Sequence, residues 1–128
     1  MSQTKVDSSM MDDVIVTYEF TREIGSPTAG EVYTLSNDIL NPFELVSVSY
    51  NHKVSSGSAT SQFDVLKNST ALSEYGNLAT VDSQVTKTTG TVGLAENQFA
   101  AGDTFEISLD SVGANTDYLV ITFHCKVL

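Results

Sequence analysis

The amino-acid sequence predicts an all-β protein: a single jelly-roll-like β-sandwich of about eight antiparallel strands with an extended N-terminal arm. Three observations carry that reading. Apolar and polar residues alternate in short runs, most clearly in Phe105-Glu106-Ile107-Ser108-Leu109 and from Tyr118 to Val127, which is the period of a strand with one buried face. Glycine, asparagine, aspartate and proline punctuate those runs at turn spacing. No stretch keeps a helical period for three turns, although Ala95 to Ala101 leaves room for one helical turn. A chain of 128 residues makes one domain of ordinary size. We divide it into an arm over residues 1–12 and a sandwich over residues 13–128.

The arm is polar through Ser2, Gln3, Thr4, Ser8 and Ser9, and only Met10 and Met11 interrupt it. It lacks the periodic apolar residues that would seat it in a core. From Asp13 a strand of about nine residues follows, with Val14, Val16, Tyr18 and Phe20 alternating with Ile15, Thr17, Glu19 and Thr21. Gly25, Ser26, Pro27 and Gly30 mark Ile24 to Gly30 as a loop. Val32 to Leu35 is a short second strand. Asn37-Asp38 and Asn41-Pro42 then lead to a third, Phe43 to Val54. There Leu45, Val46, Val48 and Tyr50 are too dense for one buried face, so this strand either bends midway or is covered on both sides.

Ser61 to Lys67 is a fourth strand, closed by an Asn68-Ser69 turn. Leu78 to Thr88 reads as one polar strand, and Gly90 and Gly93 break the run after it. Ala100-Ala101-Gly102-Asp103 is the turn that starts the final pair. In the last strand Leu119, Ile121, Phe123, Cys125 and Val127 share one face, and Tyr118, Val120, Thr122, His124 and Lys126 the other. Both faces are partly apolar near its start, which places this strand centrally, with packing expected on each side.

Composition narrows the chemistry. Sixteen acidic residues against six basic ones give a net charge of -10. Lys5, Arg22, Lys53, Lys67, Lys87 and Lys126 stand singly, so no basic cluster is available for phosphates and no nucleic-acid partner is expected. The acidity would instead steer the protein towards a basic patch. No run has the length of a membrane span, and the N-terminus lacks the regions of a signal peptide, so the reading expects no membrane partner and synthesis in a cytoplasm.

Reactive groups are few. The lone Cys125 reads as a small buried side chain. His124 and Cys125 are adjacent in one strand and point to opposite faces, so they do not pair as base and nucleophile. There is no Gly-x-Ser-x-Gly elbow, and His52 and His124 have no zinc-ligand spacing. Asp103 and Asp110 bracket a strand as turn residues do. A serine–histidine–acid triad assembled across the fold leaves no mark in a sequence, and both histidines are read as structural. Catalytic, metal and cofactor residues are therefore expected to be none. Tyr75 is the best exposed aromatic for a glycan, or else packs over the sandwich edge. Asn68-Ser69-Thr70 matches the glycosylation sequon.

Two segments carry a resemblance. Phe63-Asp64-Val65-Leu66-Lys67-Asn68-Ser69-Thr70 is followed about thirty residues later by Phe99-Ala100-Ala101-Gly102-Asp103-Thr104-Phe105-Glu106-Ile107-Ser108-Leu109-Asp110. Together with the final hydrophobic strand they resemble the β-sandwich modules of tailed-bacteriophage virions, in capsid decoration (cement) proteins, head fibres and tail-fibre parts. The resemblance covers roughly Ala59 to Val127. It implies a non-enzymatic virion protein on the capsid surface, a homotrimer whose partner is the major capsid protein. The arm would reach across a capsomer seam, with Lys5, Met10 and Met11 as its partner contacts. The alternative it implies is a fibre or receptor-binding module for a host surface glycan or protein.

Overall fold

The structure, a computed structural model, describes residues 15–35, 41–57 and 59–128. The arm, with Lys5, Met10 and Met11, lies outside the described residues, as do Val14 and the Asn37-Asp38 turn. Ten strands are present among the described residues: β1 (Thr17–Gly25), β2 (Val32–Thr34), β3 (Phe43–Val54), β4 (Ser61–Lys67), β5 (Thr70–Ala71), β6 (Leu78–Thr80), β7 (Val85–Thr88), β8 (Gln98–Phe99), β9 (Phe105–Ser111) and β10 (Thr116–Val127). They form two antiparallel sheets. The first runs β1-β10-β3-β7 with β8 also on β3, and the second runs β2-β9-β4-β5 with β6 also on β4.

The pairing has a simple logic. β1 pairs with β10, β2 with β9, β3 with β7 and β8, and β4 with β5 and β6. These are the successive rungs of one long antiparallel hairpin. Rolling that hairpin brings β10 against β3 and β9 against β4, which closes the two sheets of a jelly roll. The ten strands thus occupy eight positions, because the β5/β6 and β7/β8 positions are each interrupted by a loop.

Each interruption departs from the sequence pattern for a physical reason. The stretch Leu78 to Thr88, expected as one strand, is split between sheets: β6 pairs with β4, the chain crosses over, and β7 pairs with β3. Val81 at the crossing gives its carbonyl to the His52 N–H and its side chain to solvent, so the valine periodicity spans two sheets. β1 starts later than expected and runs through Gly25, because its ladder with β10 continues to Gly25 opposite Tyr118. Ile24, expected in a loop, is buried in it. β8 was not expected as a strand, whereas the single turn of 3-10 helix at Ala95–Asn97 was.

β3 resolves the over-dense pattern by bending. Its pairing with β10 passes from Leu45 opposite Cys125 to Ser47 opposite His124, leaving Val46 without a partner residue. This β-bulge switches the inward face from Phe43 and Leu45 to Val48 and Tyr50. β10 lies centrally, as its pattern required, yet its second face is shielded differently from the expectation. Tyr118 and Val120 are half-buried and lie opposite Lys53, Asn51 and Glu23 on the neighbouring strands.

The core is aromatic at one end. Phe105 of the second sheet contacts Phe20, Phe43, Phe99 and Phe123 of the first, with ring centroids 4.5–6.0 Å apart. Ile107, Leu109, Phe63 and Val65 continue the layer against Leu119, Ile121, Val48 and Tyr50. Each such side chain contributes about 1.5–3 kcal/mol through burial. Tyr75 belongs to this core too. It is fully buried and its hydroxyl is hydrogen-bonded to Thr89 Oγ1, so it packs and does not face a glycan.

The two resembling segments meet in space. Asn68 and Ser69 both take positive φ (51° and 67°), the two-residue turn that joins β4 to β5. Asn68 Nδ2 donates to Asp103 Oδ1 at 3.2 Å, and Asn68 Oδ1 accepts the Thr104 N–H at 3.0 Å. Asp103 Oδ2 accepts the Ala100 N–H at 2.9 Å. That backbone bond, followed by the one from Asn68, holds the Asp103 carboxyl below its usual range. The sequon asparagine is therefore committed to fixing one turn against another.

Candidate functional site

Alternation sends every second residue of the first sheet outwards, and the registers align them in rows. One row reads Glu19, His124, Ser47, Thr88 across β1, β10, β3 and β7, and the next reads Thr21, Thr122, Ser49, Thr86. Six hydroxyls, one carboxylate and one imidazole thus share a flat polar face. Its side chains bond sideways: Thr21 Oγ1 and Thr122 Oγ1 are 2.8 Å apart, and Ser49 Oγ and Thr86 Oγ1 3.0 Å.

His124 links the rows. Its Nδ1 is 2.9 Å from Glu19 Oε2 and its Nε2 3.2 Å from Ser49 Oγ. The carboxylate can only accept, so in the neutral imidazole Nδ1 carries the proton, Nε2 is the acceptor, and Ser49 donates to it. Glu19, His124, Ser49 and Thr86 form one hydrogen-bonded line across β1, β10, β3 and β7. Beside His124 opens a cavity of about 370 Å³ lined by Thr17, Tyr18, Glu19, Val46, His124 and Cys125. The bulge contributes Val46, its aliphatic wall. Cys125 is fully buried, and that burial pushes its thiol up to about 12, so it adds no nucleophile here.

His52 makes a second line of the same type, turned inwards. Its Nε2 is 3.3 Å from Asp82 Oδ1 and its Nδ1 2.9 Å from Thr80 Oγ1. Thr80 is fully buried and also bonded to the Ser61 backbone, so this line fastens β6 to β3, and only its Asp82 end, 60% exposed, meets solvent. The alternation argument separating His124 from Cys125 holds. The sequence reading did not find Glu19, Ser49 and Thr86 as neighbours of His124, because adjacency here depends on strand order and register.

The second sheet has a different outer face, with Asp64, Glu106 and Asp110. Asp110 has no residue opposite it in β4, and its carboxyl meets that of Asp64. Burial first, then the contact with Asp64, raises the Asp110 pKa. A carboxyl raised on folding costs stability above its folded pKa and returns it as the pH falls through that value. Asp110→Asn is expected to raise the unfolding free energy at neutral pH, read by urea unfolding, by up to about 0.5 kcal/mol at this exposed site. The gain should vanish in acid, where the wild-type pair already holds a proton.

Among the described residues no group of three or more His, Cys, Asp or Glu side chains is placed to hold a metal, and no helix is long and apolar enough to cross a membrane. No protein-family model matches this sequence, and no curated protein does.

Proposed function

We propose that this chain is a structural protein of a bacteriophage virion, a capsid decoration (cement) protein that binds the outer shell and stabilises it. The observation that carries the reading is at the root of the arm. Ile15 and Val16 are 70% and 54% exposed, and Leu128, 55% exposed, is brought beside them by the Val127 N–H bond to the Val16 carbonyl. Apolar side chains gathered where an arm leaves a sandwich fit an attachment point. The likeness of the Asn68 and Asp103 turns to virion modules supports the same reading. The partner is then the major capsid protein, and three copies on a symmetric junction gain avidity through effective concentration.

Deleting residues 1–12, or changing Ile15 and Val16 to serine, is expected to leave unfolding unchanged and weaken binding to shells lacking the protein. Binding is read by sedimentation of purified shells with added protein. Undiminished binding by both variants would remove this attachment point, and failure of the wild type to bind any such shell would remove the decoration role. The hydroxyl-rich outer face of the first sheet favours one second reading, a fibre or receptor-binding module for a host glycan or protein. Copy number separates them: hundreds per particle for a shell protein, a handful for a fibre.

A further inference from the structure

We propose that Ser49 is an activated nucleophile, with His124 as its general base and Glu19 as the residue that positions the imidazole, open to attack on short-chain activated acyl esters. This reactivity is additional to the attachment role and independent of it.

The argument rests on order and access. Glu19 holds the Nδ1–H of His124 at 2.9 Å, which leaves Nε2 bare and facing Ser49 Oγ at 3.2 Å. Acid, imidazole and hydroxyl stand in the sequence that lets a serine lose its proton as it attacks. Unlike the inward Asp82–His52–Thr80 line, this one lies on the outer face of its sheet: the His124 side chain is 34% exposed and that of His52 1%, with Ser49 itself 5% exposed.

The step balances within these residues. Ser49 Oγ bonds to the ester carbonyl carbon, the carbonyl π pair moves onto oxygen, and the Ser49 proton passes to His124 Nε2. As the tetrahedral adduct collapses, the bond to the leaving oxygen breaks and that oxygen keeps the pair. The imidazolium, held by Glu19, returns its proton to the leaving group or to water. Acyl-Ser49 remains. β3 is paired on both sides, so its amides are committed to ladders, and the hydroxyls of Thr86 and Thr122 flank Ser49 in place of a backbone oxyanion hole. Acylation is therefore expected to outrun turnover, giving one modified serine per chain.

The test exposes the folded protein to diisopropyl fluorophosphate and, separately, to p-nitrophenyl acetate, with intact-mass and peptide-map readout. The expected result is a single adduct on Ser49, with none on Thr80. His124→Ala should slow its formation at least about 100-fold. Glu19→Gln, whose amide can donate to Nδ1 and reverse the tautomer, should slow it at least about tenfold, and Glu19→Asp should restore part of the rate with circular dichroism unchanged. No adduct on wild-type Ser49, or equal labelling rates in wild type and His124→Ala, would overturn the proposal. Mapping the wild-type adduct keeps the test decisive should a variant fail to fold.

Discussion

Phe105→Ala is expected to cost about 3–5 kcal/mol, the range for removing a buried phenylalanine side chain. The ring lies where the two sheets meet and touches four other phenylalanines, from β1, β3, β8 and β10. Truncation opens a void that none of these can fill without leaving its own neighbours. A domain whose whole stability lies in the range of about 5–15 kcal/mol would lose a large part of it. Phe105→Leu keeps most of the volume and should cost less than half as much. Urea unfolding checks both: the midpoint should fall in that order, with the slope unchanged. An unfolding free energy for Phe105→Ala within about 1 kcal/mol of wild type would mean that the aromatic cluster is not the centre of the core.

Glu44 is the second position of large effect, because it is a carboxylate 1% exposed. Its Oε2 accepts the Gly93 N–H at 2.7 Å, and Lys126 Nζ lies 3.4 Å from its Oε1. The side chain thereby ties the loop between β7 and β8 to β3. The same loop is tied again by Glu74, whose Oε2 accepts the Gly90 and Thr91 N–H groups and whose Oε1 accepts Asn97 Nδ2. Glu44→Ala strands the Gly93 N–H and the Lys126 ammonium. Lys126 is 29% exposed and Gly93 sits at an exposed position, so both recover water, and the expected loss is about 1.5–3 kcal/mol, the range for a hydrogen bond to a charged group. Glu44→Gln retains an acceptor for Gly93 and separates the two contributions. If the backbone latch dominates, Gln recovers most of the loss; if the ion pair dominates, it recovers little.

These positions show what a sequence can and cannot convey. Alternation gave the inward faces of β9 and β10 correctly, from Phe105 through Leu109 and from Leu119 through Cys125, since a strand's period is local chemistry. It also registered that β3 was irregular, without locating the extra residue at Val46, because a bulge is defined by the partner strand. The split of β6 from β7 was hidden for a related reason: Val81 and Val85 look like one strand until the sheets are known. The candidate site was the least legible part. Each of Glu19, Ser49, Thr86 and His124 could be placed on an outer face, but only the order β1-β10-β3-β7 makes them neighbours. Tyr75, read either as an exposed aromatic or as one packing over the sandwich edge, is buried because the loop between β5 and β6 turns it into the core.

The position of β10 has a consequence for how the protein is made. β10 is the strand between β1 and β3, and of the described strands it is the last to be synthesised. Until Thr116–Val127 emerges, β1 lacks its ladder with β10, its one pairing among the described residues, and β3 lacks the same neighbour. Domains commonly begin to fold as they are synthesised, but this topology delays closure of the first sheet until β10 has followed the other nine strands out. The rung between β1 and β10 joins residues about a hundred positions apart, a loop closure that places folding among the slower topologies. Ribosome-bound chains ending at Ser111 should therefore present unpaired apolar strands to chaperones and proteases, and protection should arrive in one step with the final strand.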